Sequence, residues 1–177
     1  GIFASVTLVQ AALESAWGKS NVASTNKNLF GIKYTGRYAP GITVEEKGCK
    51  CPSSEQGGAR YYNYYQSYAD SVYDHGWFLK NNSRYTKHGV FNASNGIEQV
   101  KAIAAAGYAE DPNYASKLTN MINKYNLMQY DKVASGASIS MADIVFSIKA
   151  KGSLSWPCPS TKSISSKFFR NHFCQIR

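Results

Sequence analysis

A chain of 177 residues has room for one medium domain and a small appendage, and is too short for two full domains. Hydrophobic content of 44% and aromatic content of 14%, with 13 tyrosines, exclude an intrinsically disordered chain. A formal net charge of +9 favours polyanionic surroundings, whether nucleic acid, anionic lipid or anionic wall polymer, and by itself selects none of them.

No apolar run is long enough to span a bilayer, so no membrane insertion is expected, and the amino terminus lacks the basic-then-apolar layout of a signal peptide. The chain opens on Gly1, just ahead of a strong helix start. It is therefore expected to be a fragment, in which a missing leader carries no information about export. The basic residues are scattered except near the C-terminus and accompany no nucleic-acid-reading motif, so no nucleic-acid partner is expected.

The first element is the helix SVTLVQAALESAWGK, Ser5 to Lys19. Its apolar residues Val6, Val9, Leu13 and Ala16 or Trp17 recur at the three-and-four spacing of a helix with one buried face. Ser5 is the expected N-cap, and Gly18 can take the left-handed conformation that ends a helix. One carboxylate interrupts this uncharged stretch: Glu14, one turn after Gln10 and one turn before Trp17. At the edge of the apolar stripe it is expected to be half-buried, which would raise its pKa and suit a general acid. A solvated glutamate is nonetheless the commoner fate of such a residue.

Residues 21–34 read as polar and turn-rich up to Leu29, Phe30 and Ile32, with Gly31 suggesting close approach of backbone or ligand. Residues 34–56 read as a hairpin or long loop with a short strand around Ile42 to Val44, closed by Glu45 and Glu46. Cys49 and Cys51 are expected to be free thiols. The four cysteines and three histidines show no ligand spacing, so no metal and no cofactor are expected. A Tyr-rich strand follows at 59–65, then a helix from Ser67 with Asp70 as a capping-box variant and Ala69, Val72, Tyr73, Gly76 and Leu79 in helical period. Residues 81–95 read as a polar loop. The next helix, 96–106, carries Ile97, Val100, Ile103 and Ala104 on one face and stops at Gly107. Asp111 and Pro112 open a last helix whose apolar stripe is Tyr114, Leu118, Met121, Ile122 and Tyr125. The expected organisation is a domain over 1–130, a small, polar linker over 131–152 and a C-terminal segment over 153–177.

An acid on a helix and an acidic pair on a hairpin some thirty residues later suggest a glycosidase. One carboxylic acid protonates the leaving oxygen, and a second carboxylate activates water or stabilises the oxocarbenium-like transition state. The Tyr-rich strand and Trp77 offer aromatic faces for stacking on sugars, although most such aromatics serve a core.

The blocks SVTLVQAALESAWGKS, NLFGIK, TVE, YNYYQSYADSVYDH and AGYAEDPNYASKL resemble, in order, those of glycoside hydrolase family 73, the endo-β-N-acetylglucosaminidases that cut peptidoglycan. The resemblance covers about residues 1–128. It implies an α+β, mainly α fold, lysozyme-like with a small β-hairpin lobe. It implies Glu14 as general acid, Glu45 as the second acid with Glu46 as an adjacent rival, and Tyr108 beside the cleaved bond. Gln10 and Trp17 would flank the acid, and Asn28, Phe30 and Gly31 would line the cleft. Two departures stand out: Asn63 occupies a position where arginine is usual, and the hairpin carries a Cys49-Lys50-Cys51 insertion. The implied partner is the peptidoglycan glycan strand, met by a monomer secreted to the cell exterior or wall, whether bacterial or phage-encoded. A lytic transglycosylase using the same helix acid, or a wall-binding module that has lost catalysis, remain open readings.

The C-terminal WPCPSTKSISSKFF, starting at Trp156, resembles the opening of zinc metallopeptidases of the LytM type, with Phe169 where glycine is usual. None of that family's metal-ligand motifs follow, which implies a stub without peptidase activity or zinc.

Overall fold

The computed structural model describes residues 1–52 and 59–131. The expected linker past Asp131 and the LytM-like segment lie outside the described residues.

Among the described residues there are six α-helices and one two-stranded sheet, so the fold is α+β and mainly α. The helices are α1 (Ala4–Glu14), α2 (Asn21–Asn26), α3 (Tyr68–Asn81), α4 (Ser83–Lys87), α5 (Gly96–Ala105) and α6 (Tyr114–Lys124). The strands β1 (Val44–Glu45) and β2 (Tyr64–Tyr65) pair antiparallel, Val44 opposite Tyr65 and Glu45 opposite Tyr64. Single bridges Lys33 to Tyr62 and Lys50 to Tyr61 extend this lobe. The strands are shorter than the sequence pattern suggests.

Helix α1 is the central element, packed against α5, α6 and the 3₁₀ turn Leu127–Tyr130. It is buried nearly all round rather than along one stripe, its buried residues including Ser5, Thr7 and Gln10 beside Val6 and Val9. Burying polar side chains requires partners, and these partners organise the domain. Ser5 is not the N-cap. The cap residue is Phe3, whose side chain makes no capping bond. The missing acceptor comes from across the domain: Asp131 Oδ1 accepts from Ser5 N and Asp131 Oδ2 from Ser5 Oγ, each at 2.7 Å. Gly96, which opens α5, leaves room for this link, since a Cβ there would lie 2.1 Å from Ser5 Oγ.

The core joins Val6 and Val9 of α1 to Leu79, Tyr85, Val90, Val100, Ile103, Leu118 and Ile122. Tyr85 and Val90 explain why residues 81–95 are not the expected loop. Both are fully buried, and anchoring them folds their surroundings into α4 and the 3₁₀ turn Val90–Asn92. The six-residue α2, capped by Ser20 Oγ accepting from Ala23 N, was likewise concealed by its polar composition. The cap of α3 is as expected, Ser67 Oγ accepting from Asp70 N at 3.1 Å, and Asn95 caps α5 in the same way. On α3, however, the buried face carries Ser71, Asp74 and His75 with Val72 and Leu79, while Tyr73 is exposed. Helix α6 begins at Tyr114 rather than at Pro112, because Asp111 Oδ1 accepts from Asn113 N and closes a turn before the helix starts.

Candidate active site

Glu14 is the last residue of α1. The helix stops there, earlier than Gly18, because Ala16, Trp17 and Gly18 follow with φ of 50°, 61° and 76°. Left-handed backbone is costly for residues other than glycine, so this turn is strained at Ala16 and Trp17. Trp17 N donates to Ala12 O at 2.7 Å and Gly18 N to Ser15 Oγ at 2.7 Å, bonds that hold the turn closed. Trp17 packs edge-on against Tyr125, ring centroids 5.4 Å apart.

The abrupt ending leaves the Glu14 side chain exposed by surface area rather than half-buried, yet protein crowds its carboxyl enough to raise its pKa. Desolvation is the larger cause. The negative end of the α1 dipole acts in the same direction. A hydrogen bond from Tyr114 Oη to Glu14 Oε1, 2.9 Å, partly opposes both. Among the described residues only Oε1 is bonded, so Oε2 is the oxygen available to carry and deliver a proton.

Tyr114 is the site residue that the sequence reading placed only in a core stripe. A buried tyrosine hydroxyl calls for a polar partner, and that signal was present in the sequence without naming the partner. Its phenol in turn accepts from Gln10 Nε2 at 3.0 Å. Gln10 is fully buried, so it cannot meet a ligand directly as the resemblance implied; it touches the acid only through Tyr114.

Tyr108 stacks on Tyr114 with centroids 5.7 Å apart. Burial, followed by the nearby charge of Glu14, holds its phenol well above its usual pKa, so it acts as a neutral hydroxyl. Behind it stand His75, edge-on at 6.0 Å, and Phe30, stacked on His75 at 3.8 Å. His75 is fully buried, neither ring nitrogen has a hydrogen-bond partner among the described residues, and desolvation pulls its pKa down to about 3, so the ring is neutral. Tyr108 and Tyr114 thus form an aromatic wall backed by His75 and then Phe30, which is buried behind the wall rather than lining a cleft as the resemblance implied.

Asn28 supports this wall. It is buried, its Nδ2 donating to Ile32 O and Asn63 O at 2.9 and 3.0 Å and its Oδ1 accepting from Phe30 N and Ile32 N. Its amide is therefore fully occupied in shaping residues 28–32 and has no group left for a ligand. Gly31 has φ of +64° and nothing within 4 Å of a would-be Cβ. Glycine is favoured there by its left-handed backbone, and among the described residues no other segment makes the close approach anticipated from the sequence.

On the small lobe, Glu45 accepts from Gln66 Nε2 at 2.7 Å and pairs with Lys47 at 2.9 Å. The Lys47 bond first, and the Gln66 bond second, hold its pKa below the ordinary glutamate value, so it stays ionised at neutral pH. Glu46 is exposed and lines a cavity of about 510 Å³ with Lys50, Arg60 and Tyr61. Of the expected stacking aromatics, Tyr65 is fully buried and Lys47 covers the Tyr64 ring at 4.4 Å, while Tyr61, Tyr62 and Trp77 are half-buried.

Asn63, the departure from arginine, is also fully buried. Its Nδ2 donates to Asp74 Oδ2 at 3.1 Å and to Tyr65 Oη at 3.0 Å, while Tyr65 Oη donates to Asp74 Oδ2 at 2.6 Å and Ala39 N to Asp74 Oδ1 at 2.7 Å. The buried Asp74 carboxylate is held by neutral donors, with no ion pair among the described residues, and desolvation raises its pKa.

Comparison with known proteins bears on the family and the fold. A family model described as mannosyl-glycoprotein endo-beta-N-acetylglucosaminidase matches residues 1–127. The exo-glucosaminidase LytG of Bacillus subtilis is 34% identical over 167 residues, 90% of this chain and 57% of that protein. The peptidoglycan hydrolase FlgJ of Escherichia coli K12 is 34% identical over 145 residues, 77% of this chain and 44% of that protein. The chain thus spans about half the length of these curated relatives. The crystal structure of the catalytic domain of the autolysin Auto from Listeria monocytogenes superposes with a TM-score of 0.53 at 36% identity, covering 73% of this chain and 76% of that one.

Proposed function

The chain belongs to the glucosaminidase family of glycoside hydrolases, family 73, with its lysozyme-like α+β fold, and from that premise we propose that it hydrolyses the β-1,4 bond after N-acetylglucosamine in peptidoglycan glycan. The observation that carries this reading is a pair of carboxyl groups in opposed environments. Desolvation raises the pKa of Glu14, whereas Lys47 and Gln66 lower that of Glu45. Such a pair supplies a carboxyl that keeps its proton to higher pH than an ordinary glutamate and a carboxylate that gives its proton up at lower pH, the two tendencies that glycoside hydrolysis needs.

In the mechanism, Glu14 Oε2 gives its proton to the glycosidic oxygen as the bond breaks. The carboxylate left behind is stabilised by Tyr114 Oη donating to Oε1. The role of Glu45, on the small lobe, is to activate water or to stabilise positive charge at the anomeric carbon, a role supported by its ionised state. The substrate's own acetamido carbonyl is an alternative nucleophile in this chemistry. Tyr108 and Trp17 present aromatic surface to the sugar, Gly31 and Asn28 fix the segment that holds Phe30 behind that surface, and Glu46 extends the site along the small lobe. The reaction runs on side chains alone, with no metal or cofactor invoked, and the enzyme acts as a monomer outside the cytoplasm, on the wall.

Wall digests by the full chain are compared with those of Glu14→Gln and Glu45→Gln, with products read by mass spectrometry. Reducing N-acetylglucosamine ends from the unsubstituted chain, and loss of turnover by a factor of about 100 or more in Glu14→Gln, are expected. Anhydro-sugar products, or full activity in Glu14→Gln, would overturn the proposal.

A further inference from the structure

Gln10 is buried on α1, one turn ahead of Glu14, and meets no solvent. Its Nε2 donates to Tyr114 Oη at 3.0 Å, and Tyr114 Oη donates to Glu14 Oε1 at 2.9 Å. Among the described residues its own Oε1 has no hydrogen-bond partner. A buried amide left half-satisfied costs free energy, so an apolar residue of similar size would pack there more cheaply unless the N–H contributes to the site.

The direction of the chain of bonds is the informative feature. A phenol has one hydrogen. Because Gln10 donates to the phenol oxygen, Tyr114 must spend its hydrogen on Glu14. That keeps Oε1 of Glu14 an acceptor in both protonation states and leaves the acid's proton to Oε2. With the Gln10 amide turned over, its oxygen would take the phenol hydrogen. Glu14 would then have to donate from Oε1 toward Tyr114, inside the protein and away from any sugar.

We propose that Gln10 is a positioning residue for the general acid, setting through Tyr114 which oxygen of Glu14 carries the transferable proton and stabilising the carboxylate after transfer. This inference rests on the reading of Glu14 as the acid and adds a residue that acts without touching substrate. Hydrogen bonds in such a chain polarise one another, so the bond from Gln10 strengthens the one that Tyr114 gives to Glu14. Removing Gln10 weakens stabilisation of the charged form, and the Glu14 pKa rises further.

The test is a double-mutant cycle on the full chain with Gln10→Leu, Tyr114→Phe and the pair. The carboxyl carbon of Glu14 is titrated by NMR, which needs no turnover, and the pH dependence of kcat and KM is measured on wall. Gln10→Leu should raise the Glu14 pKa by about half a unit or more, move the alkaline limb of the kcat profile the same way and lower kcat severalfold, with KM nearly unchanged. In the Tyr114→Phe background, Gln10→Leu should move neither the Glu14 titration nor the limb, because its effect passes through the phenol. Gln10→Asn, which keeps an amide one carbon shorter, reports whether an N–H near the phenol restores part of the shift. A Gln10→Leu chain that folds and titrates as the unsubstituted chain does, or additive shifts in the double variant, would overturn the proposal. A chain that shows the pKa pattern yet cuts no wall supports the relay and contradicts the hydrolase reading instead.

Discussion

Asp131 carries the most exposed structural claim made by the fold, because it lies beyond the region matched to the family, residues 1–127. It supplies the cap that α1 lacks, accepting from Ser5 N and Ser5 Oγ at 2.7 Å each, and Ser5 is fully buried. Its charge also sits at the positive end of the α1 dipole. Asp131→Ala removes both acceptors. Hydrogen bonds to a charged group contribute about 1.5–3 kcal/mol each, and water entering at the domain edge offsets part of the loss. The expected net cost is about 3 kcal/mol, or roughly 10 °C in Tm for a domain of this size. Asp131→Asn keeps one acceptor and should lose about half as much. Thermal melts and urea midpoints of the full chain measure both. An alanine variant melting within about 2 °C of the unsubstituted chain, or an asparagine variant no better than alanine, would refute the idea that this contact holds the central helix.

Two further outcomes follow from the site's surroundings. The raised pKa of Asp74 means that the folded state holds its proton more tightly than the unfolded chain does, so this group's contribution to stability falls as pH rises through that window. Asn63→Ala removes a donor to the carboxylate and raises the folded pKa again. It should therefore cost about 2 kcal/mol at neutral pH and clearly less below the ordinary aspartate range, where the group is protonated in both states; denaturant midpoints across pH that show an equal cost throughout would count against it. At the turn after Glu14, Ala16 is exposed with φ of 50°, so Ala16→Gly should relieve strain and stabilise the chain by up to about 1 kcal/mol, read as a rise of a few degrees in Tm, and a fall would show that the turn is unstrained.

Much of the helical framework was legible in the sequence because its signals are local. The apolar spacing of α5 and α6, the cap of α3 at Ser67, and the placing of Glu14 on α1 all depend on residues within a few positions of one another. The ordered motif blocks also brought Glu14, Glu45 and Tyr108 into one hypothesis. The short helices α2 and α4 were not legible. Polar segments of five or six residues carry almost no periodicity, and what folds α4 and the turn after it is burial of Tyr85 and Val90 against distant elements.

The sequence by itself determined that a single carboxylate would stand in an otherwise uncharged, hydrophobic helix, with an acidic pair following on a hairpin; that the helix ends at this carboxylate was decided by the fold. Only the tertiary structure decided how those groups are tuned. Tyr114 lies 100 residues from Glu14, Asp131 lies 126 from Ser5, and no local pattern encodes pairings of that separation. The hairpin acids also separate only in space, Glu45 held by Lys47 and Gln66 while Glu46 lines a cavity with Lys50, Arg60 and Tyr61. A pKa depends on the water removed and the donors brought near by the whole fold, and adjacent glutamates in a sequence carry no trace of that difference.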